Sequence, residues 1–186
     1  VAEPMAMQIK RLEKKLKSIA EKEIPRAVTS ALNKVAKPLT GTVAKAVAER
    51  ERLPLKILRP RVIHHRATAN RSVTYIKSFA RGISAVRLLS NAILTRRMGR
   101  GTNKRGVTVA GRALPGAFIN RVRRNGNVFV FERRYRNQRL PIDVMRIPID
   151  EALLSVQTPL ARDRFRNTFE KFYLHELNYR ISKYVR

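Results

Sequence analysis

His64 and His65 stand side by side in this 186-residue chain, and the third histidine, His175, lies far along it. A zinc centre or a His-Asn-His nuclease needs more His, Asn or Asp at set spacing. The pair therefore reads as a surface or phosphate-facing pair. Asp143 and Asp150 are carboxylates that could in principle hold a Mg²⁺ ion. No third acid or catalytic lysine pattern accompanies them, and the flanking Pro141 and Pro148 point to a structural turn. There is no phosphate loop ending in Gly-Lys-Ser/Thr and no Gly-x-Ser-x-Gly. Gly99-Arg100-Gly101 lacks the strand–turn–helix setting of a dinucleotide site. Cysteine is absent, which excludes disulfides and thiolate metal sites. The expectation is a protein with no catalytic residues, no metal and no cofactor.

The chemistry that remains is charge. The chain carries 41 Lys and Arg against 13 Asp and Glu, a formal net charge of +28. Hydrophobic residues make up 44%, enough for a folded core, so this is not a disordered basic tail. The charge is unevenly spread. Between Glu51 and Glu132 lie 80 residues holding 18 cations and no carboxylate. Ordinary surfaces mix signs to limit repulsion. A one-sign stretch of this length faces a polyanion or an acidic protein partner. Most of its cations are Arg, which bonds phosphate bidentately and is weakly hydrated. Residues 95–106 hold three glycines and five cations, Arg96, Arg97, Arg100, Lys104 and Arg105. They read as a mobile loop contacting DNA phosphates, or docking on an acidic ring. No pattern for reading bases is present, so any contact is to backbone. Residues 1–10 lack the apolar core of a secretory signal, and no apolar run is long enough to span a bilayer.

The elements that must carry this charge form an α+β fold. Met5, Ile9, Leu12, Leu16 and Ile19 recur at steps of four and three, which predicts an amphipathic helix packed on its own domain or on a neighbouring subunit. Pro25 suits the first turn of a second helix with the face Val28, Leu32, Val35, Leu39, Val43 and Val47. That helix is expected to kink at Pro38 and end near Arg52, with a short helical turn from Leu53-Pro54 to Leu58. Short strands follow: residues 73–76, 85–89, 107–109, 117–119 and 128–131. Asn125-Gly126 predicts a hairpin between the last two. Phe129 and Phe131 are expected to differ, only one facing the core fully. Leu140-Pro141-Ile142-Asp143 and Ile147-Pro148-Ile149-Asp150 make an extended stretch pinned by prolines. Thr158 as cap and Pro159 in the first turn predict the start of the last helix. Its broad face comprises Phe165, Phe169, Phe172, Tyr173, Leu177, Ile181 and Tyr184. The reading is one domain, 1–186. Residues 1–58 are helical, 59–150 form a basic β-rich core with the loop 95–106, and 151–186 form the C-terminal helix.

Residues 114–149 carry a resemblance. Pro115, Gly116, Ala117 and Phe118 open a strand, Asn125 and Gly126 turn it, and Phe129, Phe131 and Arg133 lie on an aromatic strand. Arg139, Leu140, Pro141 and Ile142 complete the pattern. This resembles the lambda minor tail protein Z family. The family often continues into a Gly-Pro-Ser turn, where this chain has Met145-Arg146-Ile147-Pro148. The resemblance implies a structural virion protein at the head-proximal end of a long, non-contractile phage tail. It implies a role in tail completion, head–tail joining and placement of the genome end. It further implies a ring of copies, six-fold by analogy with other tail rings, meeting tail tube, tail terminator and neck or connector proteins, assembled in the host cytoplasm. It carries over no catalytic residues. Two other classes stay open: a basic RNA-binding protein of ribosomal type and a phage nuclease.

Overall fold

The computed structural model describes residues 4–90, 106–135, 138 and 140–185. Four α-helices and nine short strands make up the described chain: α1 Met5–Ser18, α2 Ile24–Glu51, α3 Leu55–Leu58, β1 Val62–His65, β2 Tyr75–Ser78, β3 Ile83–Ser84, β4 Val107–Val109, β5 Arg112–Leu114, β6 Phe118–Arg121, β7 Val128–Arg133, β8 Ile142–Val144, β9 Arg146–Ile147 and α4 Asp150–Val185. The fold is α+β. Every strand pairing is antiparallel, in the sets β1-β2, β3-β9, β4-β5 and β6-β7-β8. The chain divides into two compact units.

The first unit comprises residues Val1–Val43, Val62–Ser78 and Gln157–Arg186. A π-helical turn, Ile19–Glu23, joins α1 to α2 and is closed by the Ile24 N–H bonding the Ile19 carbonyl five residues back. Pro25 lies in the first turn of α2 as expected, and α2 runs on through Pro38. Its buried face is Ala27, Ala31, Val35, Ala36, Leu39 and Val43. Val28 and Leu32, expected on that face, are only half-buried. Ala27 and Ala31 are fully buried there. α4 meets α2 through Arg164, whose Nε donates to the Val35 carbonyl at 3.1 Å. The aromatic face of α4 is half-covered: Phe169, Phe172 and Tyr173 are half-buried and Phe165 is exposed. No residue of α1 is buried. Its apolar stripe stays open, with Met5 79%, Leu12 58% and Leu16 57% exposed, so packing on its own unit, one of the two expectations, is not what the stripe does.

The second unit comprises Ala44–Arg61 and Phe79–Val156. Its core gathers Val47, Leu53, Leu58, Ile83, Val109, Ile119, Val130, Ile147, Ile149 and Leu153. The hairpin expected at Asn125-Gly126 is present, pairing Phe118 with Phe131, Ile119 with Val130, Asn120 with Phe129 and Arg121 with Val128. Val122 and Asn127 close its loop (Val122 N to Asn127 O, 2.8 Å), and Gly126 takes φ 68°. A second hairpin, β4-β5, turns through Ala110 and Gly111, both at positive φ, which matches the twist of the strands. Gly106, at φ 60°, could carry no side chain. A Cβ there would stand 1.8 Å from the Leu114 carbonyl oxygen.

Three expectations are corrected. Residues 85–88 form a 3₁₀ turn, not a strand. Their partner strand β9 is two residues long, and after Ala85 N bonds Met145 O nothing remains to pair with, so Leu89 N turns back to Val86 O. Phe129 and Phe131, two apart on one strand, share a face. Their rings meet edge-on at 6.0 Å, both half-buried, and the fully buried residue is Val130 between them. The last helix begins at Asp150, and Pro159 lies inside it. Acidic Asp150 and Glu151 suit a helix N-terminus, and the burial of Ala152 and Leu153 fixes the first turn. The proline removes one internal hydrogen bond, which thirty-six helical residues tolerate.

Candidate functional site

The five cations singled out for DNA contact, Arg96, Arg97, Arg100, Lys104 and Arg105, lie outside the described residues, as does Arg139. The other motif residues converge on one sheet. Ala117 is buried and Phe118 faces Phe131 at 5.8 Å between ring centroids. The Arg133 guanidinium lies 6.0 Å over the Phe118 ring. In the register with β8, Phe131 pairs with Val144 and Arg133 with Ile142. Beside them, Arg134 donates twice to the Asp143 carboxylate, at 3.0 and 3.2 Å. Asp143 is therefore an ion-pair partner. Among the described residues, no group of three or more His, Cys, Asp or Glu could hold a metal ion. The motif is a packed structural sheet, with the surface cations of the β6–β7 loop, Arg123 and Arg124, at its end.

Described cations of the carboxylate-free stretch crowd one another. Arg61 donates to the carbonyls of Phe79 and Arg81. Burial, then the charges of Arg87 and Arg146, lower its pKa, although a guanidinium stays protonated.

Sequence reasoning missed a second site, in the first unit. Only two charged residues are buried in the described chain, Glu23 and Glu176. Glu23 accepts from Arg26 at 3.1 Å and from Arg180 at 3.2 Å. Glu176 accepts from Lys34 at 2.5 Å and pairs with Arg180 at 3.5 Å. Burial pushes the Glu23 carboxyl up, but the Arg180 hydrogen bond and the charges of Arg26 and Arg180 outweigh it and hold the group below its ordinary value. At Glu176 the Lys34 hydrogen bond leads and the pKa is again lowered. No sequence signal marked them, since Glu23 and Glu176 share these helices with other acids, Glu21, Asp163 and Glu170 among them.

The cations of this network line a cleft of about 760 Å³, whose lining comprises Arg26, Lys34, Lys37, His64, Arg66 and Arg180, among others. Arg26, Lys34 and Lys37 fall on one side of α2 through helical spacing. Residues of the segment 64–69 also line the cleft, and Asn33 fastens this segment to α2. Its amide donates to the Ala67 carbonyl at 3.0 Å and accepts from the Ala67 N–H at 2.9 Å. Thr68 and Arg71 close the following turn with two 3.0 Å bonds. The Thr74 hydroxyl donates to the His65 carbonyl at 3.0 Å, so it accepts from His64 Nε2 at 2.8 Å. Burial, then Arg66, His65 and Lys37, lower the His64 pKa, which leaves the imidazole neutral near pH 7. Five cations thus line the cleft, and three of them are paired with Glu23 or Glu176, which do not line it.

The family model described as "Prophage minor tail protein Z (GPZ)" matches residues 9–186. The tail completion protein of Escherichia phage N15 is 31% identical over 150 residues, which is 77% of this chain and 79% of the relative. Tail completion protein Z of Escherichia phage lambda is 33% identical over 156 residues, 77% of this chain and 80% of the relative. No solved structure matches significantly.

Proposed function

This chain belongs to the prophage minor tail protein Z family, and from that premise we propose that it completes the tail of a lambda-like phage as a structural, non-enzymatic protein. In this reading it sits in the virion at the head-proximal end of the tail. There it joins head to tail beside tube, terminator and connector proteins and positions the genome end. The observation that carries the DNA part is the run of 80 residues with 18 cations and no carboxylate. A basic element beside a DNA end neutralises phosphate and needs no base readout. A ring of copies on the tail axis follows the general preference of homo-oligomers for closed symmetry. The open apolar stripe of α1 offers such an assembly a contact surface. The ribosomal-type and nuclease readings leave the match over residues 9–186 unexplained.

The test replaces Arg96, Arg97, Arg100, Lys104 and Arg105 by Gln together. Tails should incorporate the variant and join heads but hold the DNA end wrongly and infect poorly. A variant that fails to enter tails at all would assign these cations to an acidic neighbouring ring. Normal incorporation, DNA placement and infectivity together would refute both.

A further inference from the structure

The cleft belongs to the first unit, and the family sheet to the second. The cations of the cleft divide into two sets. Arg26, Lys34 and Arg180 are committed to Glu23 and Glu176. Lys37 and Arg66 are exposed, and no carboxylate pairs with either among the described residues. They line the cleft from two different segments, one from α2 and one from the segment after β1. Both are close enough to His64 to depress its pKa. The Asn33–Ala67 bonds tie the two segments that carry these charges to one another, so their backbones are held together before any ligand arrives. Preorganisation of this kind lowers the ordering cost of binding. The Nε of Arg180 is buried with no hydrogen-bond acceptor among the described residues, a further unused donor.

We propose that this cleft is a phosphate-binding site that grips the backbone of duplex DNA, with Lys37 and Arg66 as its two phosphate ligands. The proposal rests on the reading that this protein meets a DNA end. Two cations lining one recess, carried by two segments that are hydrogen-bonded together, suit phosphates of one strand. An acidic protein surface would be met better by a flat cationic patch than by a recess. The committed set, Arg26, Lys34 and Arg180, holds the wall in place, and the free set binds. Nothing in the recess is arranged to read base edges, so binding is independent of sequence.

The test measures binding of a short fluorescent duplex to the full chain over a salt series. K37Q/R66Q should keep the melting temperature, because both side chains are exposed and neither meets a carboxylate among the described residues. It should also lower the slope of log affinity against log salt by about two, one per lost phosphate contact. The variant K56Q/R59Q removes two exposed cations of the second unit and should change the slope less. An equal change in both would reduce the binding to net charge and overturn the site. An unchanged slope in K37Q/R66Q, with a loss in the 96–105 variant, would overturn the cleft and leave the DNA-guiding reading standing. No loss in either would overturn both. Inorganic phosphate at matched ionic strength should not displace the duplex. Displacement would assign the cleft to a free anion. A K37Q/R66Q protein that binds DNA normally yet fails to enter tails would assign it to a protein partner, again overturning the proposal.

Discussion

The β6–β7–β8 sheet and the Glu23–Arg180–Glu176 network hold their respective units by opposite means. The sheet uses apolar contacts: Val130 and Ile119 are buried side by side in register, and half-buried Phe rings cover the other face. Its ion pair, Arg134 with Asp143, is exposed and contributes little. The network instead buries two carboxylates among three cations where α2 meets α4. Burying charge is costly unless every member is paired. Such a network adds little net stability intact and much instability when broken. The sheet loses stability in proportion to the volume removed. The contrast explains how a chain of charge +28 keeps two glutamates out of water: they neutralise cations that would repel one another across the helix contact.

The comparison is tested most severely at Arg180, which serves both carboxylates. Arg180→Ala should destabilise by about 3 kcal/mol, at the lower end for breaking a buried pair, read as a fall in unfolding midpoint in urea. A loss under about 1 kcal/mol would show that Lys34 and Arg26 suffice. In the sheet, Val130→Ala should cost about 2 kcal/mol by transfer and cavity terms. Phe129→Ala and Phe131→Ala should cost similar amounts, each about 1–2 kcal/mol, because both rings are half-buried on one face. A large difference between them would contradict the shared face. Acid distinguishes the two regions more gently. Both glutamates have lowered pKa values in the folded state. Their stabilisation is therefore complete above the ordinary carboxylate range and is lost as pH falls through the depressed folded values. The double variant Glu23→Gln, Glu176→Gln should flatten the fall in melting temperature below about pH 4.5, whereas Val130→Ala should leave its shape unchanged. The smallest effect belongs to α1. Leu12→Lys should shift the melting temperature hardly at all, since Leu12 is exposed, but should disrupt self-association in gel filtration if the stripe is an oligomer contact.

What was legible in the sequence follows the same division. Alternation and turn chemistry revealed the hairpin, because Asn125-Gly126 and the Val-Phe-Val-Phe run act locally. The helical stripe of α1 and the entry at Pro25 were legible for the same reason. The start of α4 was not. Pro159 looks like a first-turn residue, and only the burial of Ala152 and Leu153, a tertiary fact, shows that the helix begins earlier. The 3₁₀ turn at Ala85–Leu88 depends on the shortness of a strand sixty residues on, which no local pattern records. The buried carboxylates and the cleft were hidden because charge spacing on a helix does not say which face meets another helix.

The π-helical turn at Ile19–Glu23 gives this architecture a discrete setting. A five-residue closure carries one residue more than an α-helical turn. A π closure fits its extra residue into one wider turn, so residues beyond it keep nearly the angle that an α-helix one residue shorter would give them. Loss of one codon within Ile19–Glu23 would therefore regularise the helix and leave the azimuth of the Met5, Ile9, Leu12 and Leu16 stripe almost unchanged. The same loss in the α-helical stretch on either side would rotate the stripe by about 100°. The π turn is thus the one place along Met5–Glu51 where the chain can shorten by a residue and still offer its open stripe in the same direction.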